Sequence, residues 1–126
     1  MQPIVAVIAP GMMGSAVAHR LTDKGIEVRT AWEGRGADTI ARARQAGMTG
    51  VSDAMIAACD IILSIVPPGS ALQLAETLAP ALRAAPKKPI YVDCNALDPA
   101  TVLRIARVAA SIITAPRAVK PLVMPA

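Results

Sequence analysis

The residues best suited to chemistry lie near the amino end, in Ile4-Val5-Ala6-Val7-Ile8-Ala9-Pro10-Gly11-Met12-Met13-Gly14. A short apolar run meets glycines and then a helical pattern from Ser15 to Asp23. A buried strand turning into a helix has this form. Such a turn gathers backbone N–H groups and the positive end of a helix dipole at one point. A pyrophosphate fits there, so the segment proposes a dinucleotide ligand. The dinucleotide fingerprint is G-x-G-x-x-G, and here it reads Ala9-x-Gly11-x-x-Gly14, without the first glycine. Gly11 would let the backbone approach the phosphates, and Gly14 would let the helix pack on the strand. A methyl group at Ala9 is tolerable while φ stays negative. A second feature supports the ligand. Glu33 lies 19 residues beyond Gly14, near the spacing of an acid that binds the adenosine ribose. Arg35 follows in a Gly-flanked loop, where a guanidinium could clamp a 2′-phosphate. A carboxylate on the ribose favours NAD; a free Arg35 favours NADP. The residues lean to NADP, with NAD as the alternative.

These groups need elements to position them, and pattern and punctuation alternate along the chain. Strands are expected at Ile4–Ile8, Glu27–Trp32, Met48–Val51, Asp60–Val66 and Ile90–Asp93. Helices are expected at Met13–Lys24, Ala37–Ala46, Asp53–Ala58, Leu72–Arg83 and Asp98 to about Ala109. Gly25 and Gly47 read as helix ends, Ser52 and Asp98 as N-caps, and Pro99 as a first helical residue. Asp60–Val66 is apolar on both faces, as a central parallel strand must be. This alternation argues for an α/β fold: a doubly wound, three-layer parallel sheet of Rossmann type. Ligands bind such sheets beyond the carboxyl ends of the strands. Pro10–Gly14, Glu33–Gly36, Val66–Ser70 and Asp93–Leu97 then share one edge. Ser111–Thr114 suggests a sixth strand. Residues 111–126 hold Pro116, Pro121 and Pro125 among apolar residues and read as a tail or arm, apolar enough to cover a surface such as that of a second copy.

Bulk properties narrow the classes. The chain has 126 residues, room for one domain with a real core and not for a complete two-domain enzyme. Apolar residues make up 54% and the mean hydropathy is +0.48, which argues against disorder. The net charge is +4, but the thirteen basic residues are scattered and aromatics are only 2%, which argues against nucleic acid. A basic surface also suits an anionic cofactor. Cys59 and Cys94 sit in or beside apolar segments and read as reduced, buried residues. With one histidine there is no zinc pattern, and no metal site is expected. No run is long and apolar enough for a membrane span, and the amino end lacks a basic leader region. A soluble cytoplasmic protein is expected.

Gly11-Met12-Met13-Gly14-Ser15-Ala16-Val17-Ala18 resembles the G-x-M-G-x-x-x-A start of the β-hydroxyacid dehydrogenases, which include the 3-hydroxyisobutyrate and 6-phosphogluconate dehydrogenases. Val66-Pro67-Pro68 is similar to that family's fourth-strand ending. Asp93-Cys94-Asn95-Ala96-Leu97-Asp98-Pro99 is similar to its D-x-[SN]-[TA]-x-x-P segment. The Glu33–Arg35 loop and Asp93–Ala96 look most like the 6-phosphogluconate-dehydrogenase-like branch. The resemblance covers about residues 4 to 110, read as the NAD(P)-binding domain. It implies that Gly11, Met12, Met13 and Gly14 hold the pyrophosphate and that Arg35 holds the 2′-phosphate. It further implies that the Val66-Pro67-Pro68 segment and Ala71 line the nicotinamide ribose, and that Asn95 touches the nicotinamide side. Ala96 replaces a threonine of other members and loses a side-chain hydrogen bond. Family members add a Gly-Gly substrate loop and a helical second domain whose first long helix carries a catalytic lysine. Thr114 stands where an Asp is usual, no Gly-Gly follows, and Lys120 beside Pro121 comes too early for that helix. His19 is expected on the exposed side of the first helix. No catalytic residue is nominated. The expected function is therefore cofactor binding within a 3-hydroxyacid-dehydrogenase-like oxidoreductase. The alternatives are a non-catalytic Rossmann module for a nucleotide or partner, and a truncated product of a longer dehydrogenase gene.

Overall fold

A computed structural model describes residues 2–8, 11–31 and 35–112, and the backbone of 122–123. Ala9, Trp32, Glu33, Thr114 and Lys120 lie outside the described residues. Elements alternate as β1 (Val5–Ile8), α1 (Met12–Asp23), β2 (Val28–Thr30), α2 (Ala37–Gln45), β3 (Thr49–Gly50), α3 (Asp53–Ala57), β4 (Ile61–Ser64), α4 (Ala71–Ala84), β5 (Ile90–Asp93), α5 (Pro99–Ile112) and β6 (Leu122–Val123). A single 3-10 turn, Pro68–Ser70, precedes α4. The sheet order is β3-β2-β1-β4-β5-β6, with every pairing parallel. The chain therefore reverses direction across the sheet between β1 and β4.

Alternate residues of β1 serve two cores, although all four are buried. Val5 and Val7 join Val28 of β2, Ala18 of α1, and Ala43 and Ala46 from α2 and its end. Ala6 and Ile8 join Ile62, Tyr91, Ile56 of α3, Leu78 of α4 and Ile105 of α5. Helices thus cover both faces, giving three layers. The abundant alanines let backbones approach closely. Fully buried Ile62, Leu78 and Ile105 supply bulk, each worth roughly 1.5–3 kcal/mol of burial.

Helix ends follow local chemistry. Gly25 and Gly47 close α1 and α2 with φ of +80° and +85°, a region that glycine enters without strain. At Gly47 a Cβ would also lie 2.9 Å from the Thr22 side chain. The Ser52 hydroxyl accepts the Met55 N–H at 3.4 Å, starting α3. Asp98 accepts the Thr101 N–H at 2.8 Å, with Pro99 as the first helical residue of α5. The Lys88 ammonium donates to the Leu82, Arg83 and Ala85 carbonyls at 2.7–3.0 Å, satisfying the carboxyl end of α4.

One expectation is corrected. Ser111 and Ile112 are not strand residues; they form the last turn of α5. Their β-branched neighbours suggest a strand, but Ile105, Val108 and Ile112 recur at helical spacing and pack on the α4–β5 core. The Arg83 guanidinium donates to the Ser111 hydroxyl at 3.0 Å and tethers that turn to α4. The sixth strand comes later, at Leu122–Val123, parallel to β5. Among the described residues, no helix is long and apolar enough to cross a membrane.

Candidate functional site

The candidate site forms at the carboxyl ends of β1 and β4, where the strand order reverses. Gly11 is the N-cap of α1, with no side-chain cap. The Ser15 N–H donates to the Gly11 carbonyl at 3.2 Å, so the Met12, Met13 and Gly14 N–H groups precede the first intrahelical bond. The Gly11 backbone is extended, at φ −123° and ψ −171°, which any residue adopts. A Cβ there would meet nothing within 4 Å. Neither the fold nor packing requires glycine, and the open space beside N–H groups that have no intrahelical partner suits an anion. Gly14 is buried, while Met12 and Met13 are 79% and 70% exposed, flanking that space with apolar surface.

Across the crevice, the Ile65 N–H donates to the Ile8 carbonyl at 2.9 Å and extends the β1–β4 pairing. The chain then turns at Pro67, and the Ser70 N–H closes the turn on the Pro67 carbonyl at 2.8 Å. Asn95 holds this turn in place. Its Oδ1 accepts the Val66 N–H at 2.9 Å, and its Nδ2 donates to the Ser64 hydroxyl at 3.1 Å. Its own N–H donates to Asp93 Oδ1 at 3.0 Å. Asn95 therefore ties the ends of β4 and β5 together, a task its expected place beside the nicotinamide did not include. Ser64, Asp93, Tyr91 and Asn95 form a buried polar cluster beneath the turn. Burial pushes the Tyr91 hydroxyl up to about 12; the nearby Ser64 hydroxyl opposes that rise and the Asp93 charge adds to it. Among the described residues, the Tyr91 hydroxyl and Asp93 Oδ2 have no partner of hydrogen-bond geometry.

A groove of about 340 Å³ runs from the Val66-Pro67 turn along α4 to Arg35. Ser70, Leu74 and Thr77 form its helical wall at i, i+4 and i+7. An adjoining slot of about 250 Å³ shares Arg35, Leu74 and Thr77 and adds Ala31, Val51 and Asp53. A cleft of about 30 Å³ between α4, α5 and the start of β5 belongs to the core; it lies away from the strand ends and is too small for a cofactor.

Of the nominated residues, Gly11, Met12, Met13 and Gly14 open α1, Val66 and Pro67 line the groove, and Arg35 stands at its far end. Pro68 is exposed in the turn. Ala71 is fully buried in the α4 core, so it seats the helix and offers no surface to a ligand. The α4 wall and Asp53 were missed by sequence reasoning. The recurrence of Ser70, Leu74 and Thr77 right after the proline pair was the available signal. Burial, opposed by the Arg29 charge, pushes the Cys59 thiol up, and burial with the Asp93 charge does the same at Cys94. Both stay protonated near neutral pH and make poor nucleophiles. His19 is exposed and pairs with Asp23 at 3.4 Å, outside the groove. Among the described residues, no three His, Cys, Asp or Glu side chains are grouped to hold a metal.

The family model described as NADP oxidoreductase, coenzyme F420-dependent, matches residues 4–97. The structure of MTH1747, a conserved protein of unknown function similar to 3-hydroxyacid dehydrogenases, shares 36% identity over 82% of this chain and 38% of its own, with a TM-score of 0.73. Mycobacterium tuberculosis 3-hydroxyisobutyrate dehydrogenase has the same fold at 18% identity, covering 99% of this chain and 40% of its own, with a TM-score of 0.76. Synechocystis arogenate dehydrogenase also shares it, at 18% identity over 82% and 37%, with a TM-score of 0.67. No curated protein matches the sequence. The chain spans about two fifths of the length of these structures. The glycine-opened start of α1, the β1–β4 crevice and the matched residues 4–97 lead to one conclusion: this chain belongs to the NADP oxidoreductase, coenzyme F420-dependent, family and has the fold of its NAD(P)-binding Rossmann domain, similar to that of the 3-hydroxyacid dehydrogenases.

Proposed function

We propose that this chain is the cofactor half of a 3-hydroxyacid-dehydrogenase-like oxidoreductase of the 6-phosphogluconate-dehydrogenase-like branch, and that it prefers NADP(H). The observation that carries this is the unneeded glycine at Gly11, with open space and the first, intrahelically unbonded N–H groups of α1 beside it. The Met12, Met13 and Gly14 N–H groups hold the pyrophosphate, the Val66-Pro67 turn supports the nicotinamide ribose, and Arg35 binds the 2′-phosphate. Glu33 is the competing ribose ligand and would favour NAD. The preference for NADP rests on Arg35, which is exposed at the groove and makes no ion pair among the described residues. The bound nicotinamide would supply or accept the hydride. This chain binds and orients the cofactor, and among the described residues it offers no acid–base pair; in members of the resembled family, substrate binding and the catalytic lysine lie in a helical second domain. A cytoplasmic location fits the two free cysteines.

Titration with NADPH and NADH, followed by nicotinamide fluorescence, tests the reading. NADPH should saturate at least about tenfold more tightly than NADH, since a guanidinium–phosphate pair is a charge-assisted contact. Arg35→Ala should remove that preference. Equal affinity for the two cofactors in the unaltered chain would refute the NADP assignment. A second reading, a partner-binding module, draws on β6 at the edge of the sheet. It requires a dimer through residues 111–126, and a strict monomer in light scattering would contradict it.

A further inference from the structure

Met12 and Met13 are the first two residues of α1, and they are 79% and 70% exposed. Of the other described methionines, Met55 is 46% exposed and Met48 is buried. In a helix each Cα–Cβ bond tilts toward the amino end, so both thioethers lean toward the mouth of α1. The N–H groups of that first turn have no intrahelical partner, and α1 has neither a side-chain cap nor an acidic residue there. A thioether sulfur is a weak acceptor and leaves those N–H groups to a ligand. A sulfoxide is polar, and its oxygen is a far better acceptor. The cysteines offer an oxidant little competition. Cys59 is buried, Cys94 is half-buried, and burial pushes both thiols up, so little thiolate exists near neutral pH. Oxidation of a thioether needs no deprotonation.

We propose that Met12 and Met13 form a peroxide-sensitive modification site, whose sulfoxides fill the anion position at the start of α1 and exclude the dinucleotide. The exclusion rests on the dinucleotide reading above; the order in which the methionines oxidise does not. In each oxidation one peroxide oxygen forms the S–O bond as the O–O bond breaks. Its proton passes to the departing oxygen, which leaves as water. The sulfur gives up two electrons and the peroxide takes them. The S–O dipole then sets its negative oxygen at the positive end of the helix, accepting a first-turn N–H that a phosphate oxygen would otherwise use. Oxidation of a buried methionine acts through loss of the fold. Oxidation of these exposed side chains leaves the fold intact and acts on the ligand.

The test treats the full chain with limiting hydrogen peroxide and locates each added oxygen by peptide mass spectrometry. Met12 and Met13 should oxidise before Met55 and well before Met48. NADPH affinity, read by nicotinamide fluorescence, should fall at least about tenfold, the worth of one hydrogen bond to a charged group, while the melting temperature without cofactor is kept. The two stereospecific methionine sulfoxide reductases together should restore the affinity. In a Met12→Leu, Met13→Leu double variant, affinity after peroxide should equal that variant's own affinity before it. Three results overturn the inference and leave the dinucleotide reading standing: Met48 or Met55 oxidised first, an oxidised Met12-Met13 pair that binds NADPH as before, or a peroxide-induced loss that persists in the leucine variant. Failure of the untreated chain to bind NADPH overturns the dinucleotide reading and the exclusion with it.

Discussion

Replacing Gly11 by aspartate should separate what the fold needs from what the ligand needs. The backbone at Gly11 is extended and its Cβ direction is open, so the side chain fits without strain. Gly11 caps α1 without a side-chain bond, and no acidic residue lies in the first turn. Aspartate would supply both the missing cap and a favourable charge at the positive end of the helix. The cap improves on glycine by a few tenths of a kcal/mol and the dipole contributes about 0.3–1 kcal/mol, so the free protein should gain roughly 0.5–1 kcal/mol. For a chain of this length that raises the melting temperature by about 2–4 °C. The same carboxylate occupies the phosphate position and uses the same N–H groups. Two like charges about 4 Å apart at an effective dielectric near 20 repel by about 4 kcal/mol, a loss of roughly a thousandfold in affinity. Thermal unfolding without cofactor, paired with NADPH titration, reads both effects. A Gly11→Asp protein that is less stable would show that the fold requires this glycine. One that binds NADPH within about threefold of the original would show that the phosphates lie elsewhere. Either result refutes the reasoning.

Three further outcomes follow from the buried and capped groups. Asn95→Ala leaves the Val66 N–H without its acceptor and should cost about 1–3 kcal/mol; calorimetry should also show NADPH losing more affinity than 2′-phospho-ADP-ribose, which lacks the nicotinamide. Tyr91 is the chain's one tyrosine, so tyrosinate absorbance reports it alone. Burial should delay its ionisation to about 12 in the folded protein, and because the unfolded chain loses that proton near 10, roughly 2–3 kcal/mol of stability should disappear as pH rises from 10 to 12. At the acid end, the Ile4 N–H and the Lys87 ammonium hold the Asp60 carboxyl below its ordinary range, as the Thr101 hydroxyl and N–H hold Asp98. Their stabilisation is complete above about pH 4 and is lost as pH falls through the lowered folded values, so urea midpoints should drop there and flatten in the Asp60→Asn, Asp98→Asn double variant.

Local chemistry made much of the fold legible. Ile90–Asp93 is a strand as its pattern indicates, and Gly25, Gly47, Ser52 and Asp98-Pro99 mark helix ends through their own conformations and side chains. The strand-to-helix turn at the start of α1 was legible because Gly11 and Gly14 lie in one short segment. The far end of the groove was not. The Ala31–Val51–Asp53–Leu74 slot draws on separate elements, and only the packed sheet brings them together. The role of Asn95 was hidden for the same reason: its partners Val66 and Ser64 are 29 and 31 residues away. At Ser111-Ile112 local propensity gave the wrong element, because contacts with α4 and β5 extend the helix through residues that favour strands. A two-residue strand at Leu122–Val123, set between prolines, has too little pattern to read.

The central claim is that a dinucleotide lies along the carboxyl edge of this sheet, from Arg35 past Gly11 to Val66. Backbone amide chemical shifts of the isotope-labelled chain, recorded during titration with NADP, test it most directly. The account predicts saturable shifts at Gly11–Ser15, Arg35–Gly36 and Ile65–Ala71, with the opposite edge near Gly25 and Lys87 unchanged. No shift at millimolar NADP, or shifts confined to that opposite edge, would contradict it.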